Sequence, residues 1–253
     1  MELSVVRIHK AGTSGGQPWV STRPVVQPDN YLSQCPFVLL NEEAYPPFSR
    51  FPIRTHGGVI VMTFVLDGSV DLTDGAAAQW RLNQGDADFS TDSSGVLRGA
   101  TSGELGAKLL HLWINLPATL RLGNAHRQTV HHDSARGVNF GAASALVYSG
   151  ALGTTSGAYA TPWPVTMADL SLQAGKQATL PVASTERNFA YVLSGQIELG
   201  RNQVHLNRGN IAWIERTVEA GEVNSLPMRA TKHARALLLS SPVFGDGDSR
   251  AGG

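Results

Sequence analysis

Short apolar runs, each bounded by Gly, Asn, Asp or Pro, recur along this chain. Residues 59–66 read VIVMTFVL and are apolar or β-prone throughout, as expected for a strand buried on both faces. Asp67-Gly68 is a typical turn dipeptide and residues 69–73 alternate polar and apolar, so the pattern predicts a hairpin. No convincing amphipathic helix occurs in the middle of the chain, and the many short strands predict an all-β sandwich or barrel. Further strands are predicted at 87–90, 109–115, 165–172, 189–193, 196–199, 211–214 and 234–239.

The chain also repeats a short sequence pattern. TFVLDG at 63–68 is echoed by AYVLSG at 190–195, and NQGD at 83–86 is echoed by NRGN at 207–210. The first pair is 127 residues apart and the second is 124 apart, so the order and spacing of the landmarks are nearly constant. We therefore expect each half of the chain to carry the same strands and turns, which is the mark of a duplicated β-domain.

Composition excludes several classes of protein. Lys plus Arg and Asp plus Glu each number 20, and this net charge of zero argues against a nucleic-acid surface, which needs uncompensated Lys and Arg. The single cysteine, Cys35, cannot form an internal disulfide, so nothing calls for an oxidising compartment. No uncharged apolar stretch of about 18 residues and no apolar run of signal-peptide length at the N-terminus occurs, so we expect a cytoplasmic protein that does not bind membranes.

Three segments of the first half carry distinctive motifs: CPFVLLNE at 35–42, FPIRTHGGVIVMTFVLDG at 51–68 and LHLWINLP at 110–117. In this order they resemble motifs of the pirin family of the cupin superfamily. The resemblance covers roughly Cys35 to Pro242, more loosely in the second half, and implies an all-β fold of two tandem, jelly-roll-like cupin barrels.

The repeat, together with a segment at 123–164 in which Gly, Ala, Ser and Thr dominate, predicts a domain division. We expect an N-terminal barrel with its N-terminal arm at 1–122, a linker region at 123–164, a C-terminal barrel at 165–244 and a disordered tail at 245–253. His205 and His233 in the second half have no neighbouring ligand pattern, so the second barrel is predicted to be a scaffold.

Pirins hold one iron-like metal in the first barrel, through a His-x-His pair, a later His and a Glu two positions after it. Alignment on the shared Phe-Pro and Gly landmarks places Arg54, His56, Arg98 and Ala100 at these four positions. A guanidinium stays protonated and offers no lone pair, so only one of the four ligands survives. No catalytic residue is assigned and no cofactor is expected at this degenerate metal site.

The replaced residues suggest a different ligand. Guanidinium groups match carboxylate or phosphate oxygens in bidentate fashion. We therefore predict that Arg54, Arg98, His56 and His111 are ligand-binding residues for a small anion. The other interpretation is that both arginines reach the barrel mouth and form surface salt bridges.

Three functions remain open. The first is a pirin-like protein that binds a small anionic molecule or a protein partner without a metal. The second is a quercetin 2,3-dioxygenase-like oxygenase that uses iron or another divalent transition metal at a displaced site, for which His111 and Glu104 are the candidate ligands. The third is a structural interaction protein without a ligand.

Overall fold

A computed structural model describes residues 1–17, 19–54, 57–73, 79–91, 98–217 and 223–244, with only the backbone described at 51–54, 98 and 223. Strands dominate, and the two α-helices of the described residues have four residues each: α1 (Tyr31–Gln34) and α2 (Ala118–Arg121). Two short 3-10 helices lie at Pro28–Asn30 and His132–Ser134. The strands are β1 (Val5–Lys10), β2 (Gly15–Gln17), β3 (Val20–Val26), β4 (Phe37–Tyr45), β5 (Arg50–Arg54), β6 (Val59–Thr73), β7 (Gln79–Asn83), β8 (Ala87–Thr91), β9 (Arg98–Asn115), β10 (His126–Val130), β11 (Arg136–Phe140), β12 (Ala143–Ser149), β13 (Ala151–Leu152), β14 (Thr155–Ser156), β15 (Thr166–Leu172), β16 (Gln177–Ala183), β17 (Arg187–Leu199), β18 (Val204–Asn207), β19 (Asn210–Ile214) and β20 (Val223–Ser241).

The chain divides into two compact units, each built on one antiparallel sheet. The first unit comprises Gly12–Asp133 with Phe244, and the second comprises Met1–Ala11 with Ser134–Val243. In the described residues the first sheet has the strand order β10-β8-β6-β9-β4-β3-β2, with β5 on β9 and β7 on β6. The second sheet has the order β1-β19-β17-β20-β15-β12-β11, with β16 on β20 and β18 on β17. The two orders correspond strand for strand, which is the duplication that the sequence repeat predicts.

The N-terminal arm, assigned above to the first barrel, forms its strand in the second unit. Strand β1 pairs antiparallel with β19, at the place that β10 occupies beside β8 in the first unit. The sequence repeat does not extend to β1 and β10, so it did not indicate that the N-terminal strand belongs to the second sheet.

The segment 123–164, predicted as a linker, contains five strands. Strand β10 completes the first sheet, whereas β11 and β12 form the far edge of the second, and β13 pairs with β14. Its small residues suggested a connector, but Ala143 and Ala145 are buried in the core of the second unit. The predicted tail at 245–253 lies outside the described residues.

The predicted turn at Asp67-Gly68 is wrong: it is a bulge inside a continuous strand. Strand β6 runs from Val59 to Thr73 and stays paired with β9, with register shifts on both sides of Gly68. The φ angle of Gly68 is 72°, and that of its repeat counterpart Gly195 in β17 is 75°. A residue with positive φ adds a kink without reversing the chain when the same partner strand continues past it.

The second landmark of the repeat forms the same turn in both units. Gly85 and Gly209 have φ angles of 86° and 84°, and their N–H groups donate to the carbonyls of Val65 and Val192 at 2.9 and 2.8 Å. In the first unit the Asp86 carboxylate accepts a hydrogen bond from the backbone N–H of Asn83 at 2.9 Å. In the second unit the Asn210 amide oxygen accepts one from the backbone N–H of Asn207 at 2.7 Å. Aspartate and asparagine are equivalent here because each provides one oxygen acceptor.

Each unit buries its own apolar side chains between the faces of its curled sheet. In the second unit the buried set includes Val192, Leu199, Ile214, Leu226 and Leu238. The first unit contains a buried cluster of Val20, Tyr45, Val65, Val70, Leu82, Ala100, Ala107 and Leu109. Within the described residues, no helix has the length and apolar character that crossing a membrane requires.

We expect Gly195→Ala to destabilise the second unit. The new Cβ would lie 2.1 Å from the carbonyl oxygen of His233 and would force a non-glycine residue to adopt positive φ. The free energy of unfolding should fall by roughly 2 kcal/mol or more in urea denaturation.

The matched control is Gly137→Ala in strand β11. There the nearest atom to an added Cβ is 4.0 Å away, so the change should stay within about 0.5 kcal/mol. Equal effects of the two substitutions would contradict the assignment of Gly195 to an obligatory bulge.

Candidate functional site

The two arginines at the family ligand positions meet across one antiparallel pair. Arg54 ends β5, Arg98 begins β9, and their Cα atoms are partners in the register of that pair. Ala100, at the position of the family glutamate, pairs with Phe51 and is 8% exposed. The side chains of the two arginines and all of His56 lie outside the described residues.

His111 lies in the middle of the sheet, within a row of polar residues. It is the register partner of Thr63 on β6 and of Asn41 on β4, and its Nδ1 is 3.4 Å from the Thr63 hydroxyl oxygen. Thr63 is in turn opposite Asp88 on β8, which is opposite Thr129 on β10. Residues directly opposite one another share a face of the sheet, so these five form one polar row across it.

The equivalent row of the second unit is apolar. The residues at the corresponding places in the ladder are Ile8, Ala212, Ala190, Leu238 and Ala168. The last four lie in the apolar core of that unit. The comparison indicates that five interior positions are polar in the first unit, whereas the corresponding positions of the second unit carry apolar side chains.

Asp88 is the most deeply buried ionisable residue of the polar row, with a side chain 2% exposed. Arg127 places Nη2 2.9 Å from one carboxylate oxygen and Nε 3.4 Å from the other, and the Thr129 hydroxyl donates at 2.8 Å. The Arg127 guanidinium carbon also lies 3.0 Å from the centroid of the Trp80 ring. A buried carboxylate is tolerated when it is paired and hydrogen-bonded in this way, so Asp88 is held as a structural anion.

The residues at the family ligand positions do not fit a resident divalent metal. Arg54 and Arg98 carry positive charge and no lone pair, and the Ala100 methyl group donates nothing, which leaves one imidazole. Across the described ranges, which omit His56, no three His, Cys, Asp or Glu side chains come together as a metal site. Glu104, considered as a substitute ligand, is exposed.

Sequence reasoning missed most of the polar row. His111 was singled out, whereas Asp88, Thr63, Asn41 and Thr129 were not. One signal was available: Asp88 lies in the predicted strand 87–90, and a charged residue in a buried strand requires a partner. That partner is Arg127, 39 residues further along the chain, and only the strand order brings it there.

Comparisons with known proteins agree with this architecture. The pirin C-terminal cupin domain matches residues 167–245. Pirin-like protein 2 of Arabidopsis thaliana is 28% identical over 159 residues, which is 62% of this chain and 49% of the relative. A putative quercetin 2,3-dioxygenase of Pseudomonas aeruginosa is 27% identical over 84% of this chain and 78% of its own length. The chain thus aligns with about half the length of the plant relative.

Solved structures share the fold along nearly the whole chain. A crystal structure of a Geobacillus kaustophilus protein has a TM-score of 0.90 at 22% identity, covering 96% of this chain and 97% of that protein. The bacterial pirin YhhW of Escherichia coli, solved in complex with nickel(II), has a TM-score of 0.71 at 14% identity, covering 94% of this chain and 100% of that one.

Fold and comparisons together define the class of protein. The two corresponding sheets form a tandem, all-β cupin architecture. The second half of the chain matches the pirin C-terminal cupin domain, and the chain is similar to a plant pirin-like protein over 62% of its length and to a putative quercetin 2,3-dioxygenase over 84%.

We expect Arg127→Met to destabilise the first unit. Methionine keeps an apolar stem beside Trp80 but leaves the buried Asp88 carboxylate without its counter-charge. The free energy of unfolding at neutral pH should fall by about 3 kcal/mol, measured by urea denaturation.

Arg81→Met serves as the control for losing an ion pair in the same unit. Arg81 and Asp71 are 3.8 Å apart with side chains 53% and 47% exposed, so the loss should be under about 1 kcal/mol. A loss at Arg127 no larger than this would show that Asp88 does not depend on its partner.

Proposed function

We propose that the protein binds a small anion in its first barrel, between Arg54 and Arg98, without a resident metal. The observation that carries the proposal is the register of β5 and β9, in which these two residues are direct partners. The ligand class is a carboxylate or phosphate, either on a free small molecule or on a protein partner.

The charge of the pair supports an anionic ligand. Residues opposite one another in an antiparallel pair have Cα atoms about 4.5–5.5 Å apart, and like charges at such positions destabilise a sheet. Ala100 provides no carboxylate to compensate, although a glutamate is the family residue there. An anion that accepts hydrogen bonds from both guanidinium groups would remove the repulsion and gain bidentate contacts.

A metal-dependent oxygenase is the second candidate, favoured by one relative and one residue. The Pseudomonas aeruginosa relative carries the name of a putative quercetin 2,3-dioxygenase, and an E. coli pirin of the same fold was solved with nickel(II). His111 places an imidazole in the polar row of the same unit, where a displaced ligand set would have to form. Metal analysis of the purified protein separates the two candidates.

For the anion site, we expect phosphate or malonate to raise the melting temperature in a saturable way at constant ionic strength. A ligand that binds only the folded state stabilises it by about 2.7 kcal/mol at a hundred times its dissociation constant. Arg54→Gln and Arg98→Gln should each weaken binding about tenfold or more, as measured by calorimetry.

Arg50→Gln is the matched control for these variants. Arg50 lies on the same strand but pairs with Thr101, so its removal takes away a charge without breaking the pair of arginines. Equal losses in all three variants would indicate general electrostatic attraction and would refute a site between Arg54 and Arg98.

For the metal, we expect protein purified without chelators to carry little transition metal. The triple substitution Arg54→His, Arg98→His and Ala100→Glu should instead bind nickel(II) stoichiometrically, because it restores three imidazoles and a carboxylate. Equilibrium dialysis with elemental analysis measures both proteins.

The control adds His56→Ala to the triple variant, which should abolish most of the gain. Stoichiometric metal in the unmodified protein that is lost on His56→Ala or His111→Ala would overturn the anion proposal in favour of the oxygenase.

A further inference from the structure

The second unit contains a partly enclosed cavity of about 540 Å³. Strand β16, which contributes Pro181 to its wall, is the counterpart of β5, and Pro181 pairs with Ser225 on β20. Pro181 and Ser225 lie 127 residues after Arg54 and Arg98, so this strand pair of the second unit corresponds to the arginine pair of the first. The cavity lies beside it. Its lining includes Thr166, Pro181, Val182, Glu186, Leu238 and Ser240.

A polar layer crosses the sheet of the second unit at this level. Asn188 on β17 pairs with Ser240 on β20, which pairs with Thr166 on β15. The residues 127 positions earlier, in the same ladder of the first unit, are Val61, Trp113 and Leu39. The second unit is therefore polar where its duplicate is apolar, and duplication alone does not explain the polar residues.

Glu186 is the charged group of this cavity. Its carboxylate accepts a hydrogen bond from the Ser240 hydroxyl, and it makes no ion pair with any residue that the structure describes. Of the described residues that line the cavity, Glu186 alone is ionisable. Burial raises the pKa of Glu186 above its usual range, and the hydrogen bond from Ser240 offsets this only in part. The carboxyl group thus lines a largely apolar cavity and has no ion-pair partner within the described part of the chain.

Hydrogen bonds from the Asn188 side chain hold the segment that carries Glu186 in place. The Asn188 amide nitrogen donates to the carbonyl oxygens of Ala183 and Glu186, at 2.8 and 3.0 Å. Asn188 is fully buried, so these bonds hold the segment 183–186 at the cavity wall independently of solvent. A carboxyl group held in this way loses little conformational freedom when a ligand binds.

We propose that this cavity is a second binding site, specific for a small organic cation with a primary ammonium group on an apolar body. Glu186 provides the counter-charge, Ser240 orients its carboxylate, and the walls of glycine, alanine, proline, valine and leucine accommodate the body. A cationic ligand is favoured because it gives the half-buried carboxylate the partner that the described residues do not. The site is independent of the proposed anion site, since it rests on residues of the other unit.

The test uses 2-phenylethylammonium as the probe, with calorimetry at neutral pH. We expect saturable binding, weakened about tenfold or more by Glu186→Gln, which keeps the shape and removes the charge. Glu104→Gln in the first unit is the control, since it removes an exposed carboxylate elsewhere and should leave binding unchanged.

Ligands of the same shape and different charge test the chemistry. Neutral 2-phenylethanol should bind more weakly than the ammonium, and 3-phenylpropionate should not bind in this cavity. Absence of saturable binding of the ammonium, equal binding of the propionate, or equal affinity in Glu186→Gln would each overturn the proposal.

A measurement on the unmodified protein makes the test independent of whether the variant folds. In protein with ¹³C-labelled glutamate, the carboxyl pKa of Glu186 should fall when 2-phenylethylammonium saturates the site, because the ammonium stabilises the charged form. A pKa that does not change with saturating probe would refute the contact between the ammonium and Glu186.

Discussion

The register of two long strand pairs, β6 with β9 and β17 with β20, determines which side chains line each barrel. A shift of one residue would turn every side chain of a strand to the other face, so the interior of each unit depends on this register being fixed. Glycine bulges at Gly68 and Gly195 set it, since a Cβ at either position would lie within 2.2 Å of a carbonyl oxygen on the partner strand. The constant spacing of 127 residues between the bulges is why interior positions of the two barrels can be compared one by one.

That comparison shows where the duplicated barrels have diverged. The first unit is polar along Thr129, Asp88, Thr63, His111 and Asn41, where the second is apolar. The second unit is polar along Asn188, Ser240 and Thr166, where the first has Val61, Trp113 and Leu39. Adjacent layers inside a barrel are two residues apart along a strand, so the polar level has moved by one layer between duplicates. Buried polar groups are costly unless they are hydrogen-bonded, and the two units use different partners: Asp88 binds Arg127, whereas the Asn188 amide nitrogen donates to the carbonyls of Ala183 and Glu186. The Asn188 side-chain oxygen is buried without a hydrogen-bond partner among the described residues.

The residues aligned with the pirin metal ligands differ in charge from the pirin pattern. In the pirin pattern, imidazoles and a carboxylate surround a cation, whereas this chain has two guanidinium groups at partner positions and a buried methyl group in place of the carboxylate. In the proposed function, these two positive charges would attract an anion and repel a cation. The buried Asp88 does not reverse this sign, because its charge is already matched by Arg127.

The sequence by itself determined the all-β class, the duplication and the resemblance to pirins, because these depend on local patterns and residue identity; the absence of a metal site stays a prediction. It did not predict that Asp67-Gly68 is a bulge, since the same dipeptide suits a turn and only the continued pairing with β9 excludes one. The tertiary structure alone placed β1 in the second sheet and Arg127 on Asp88, 39 residues away. It also brought Glu186 and Ser240 together, 54 residues apart, at one cavity. Such contacts depend on strand order and register, which no short stretch of sequence encodes.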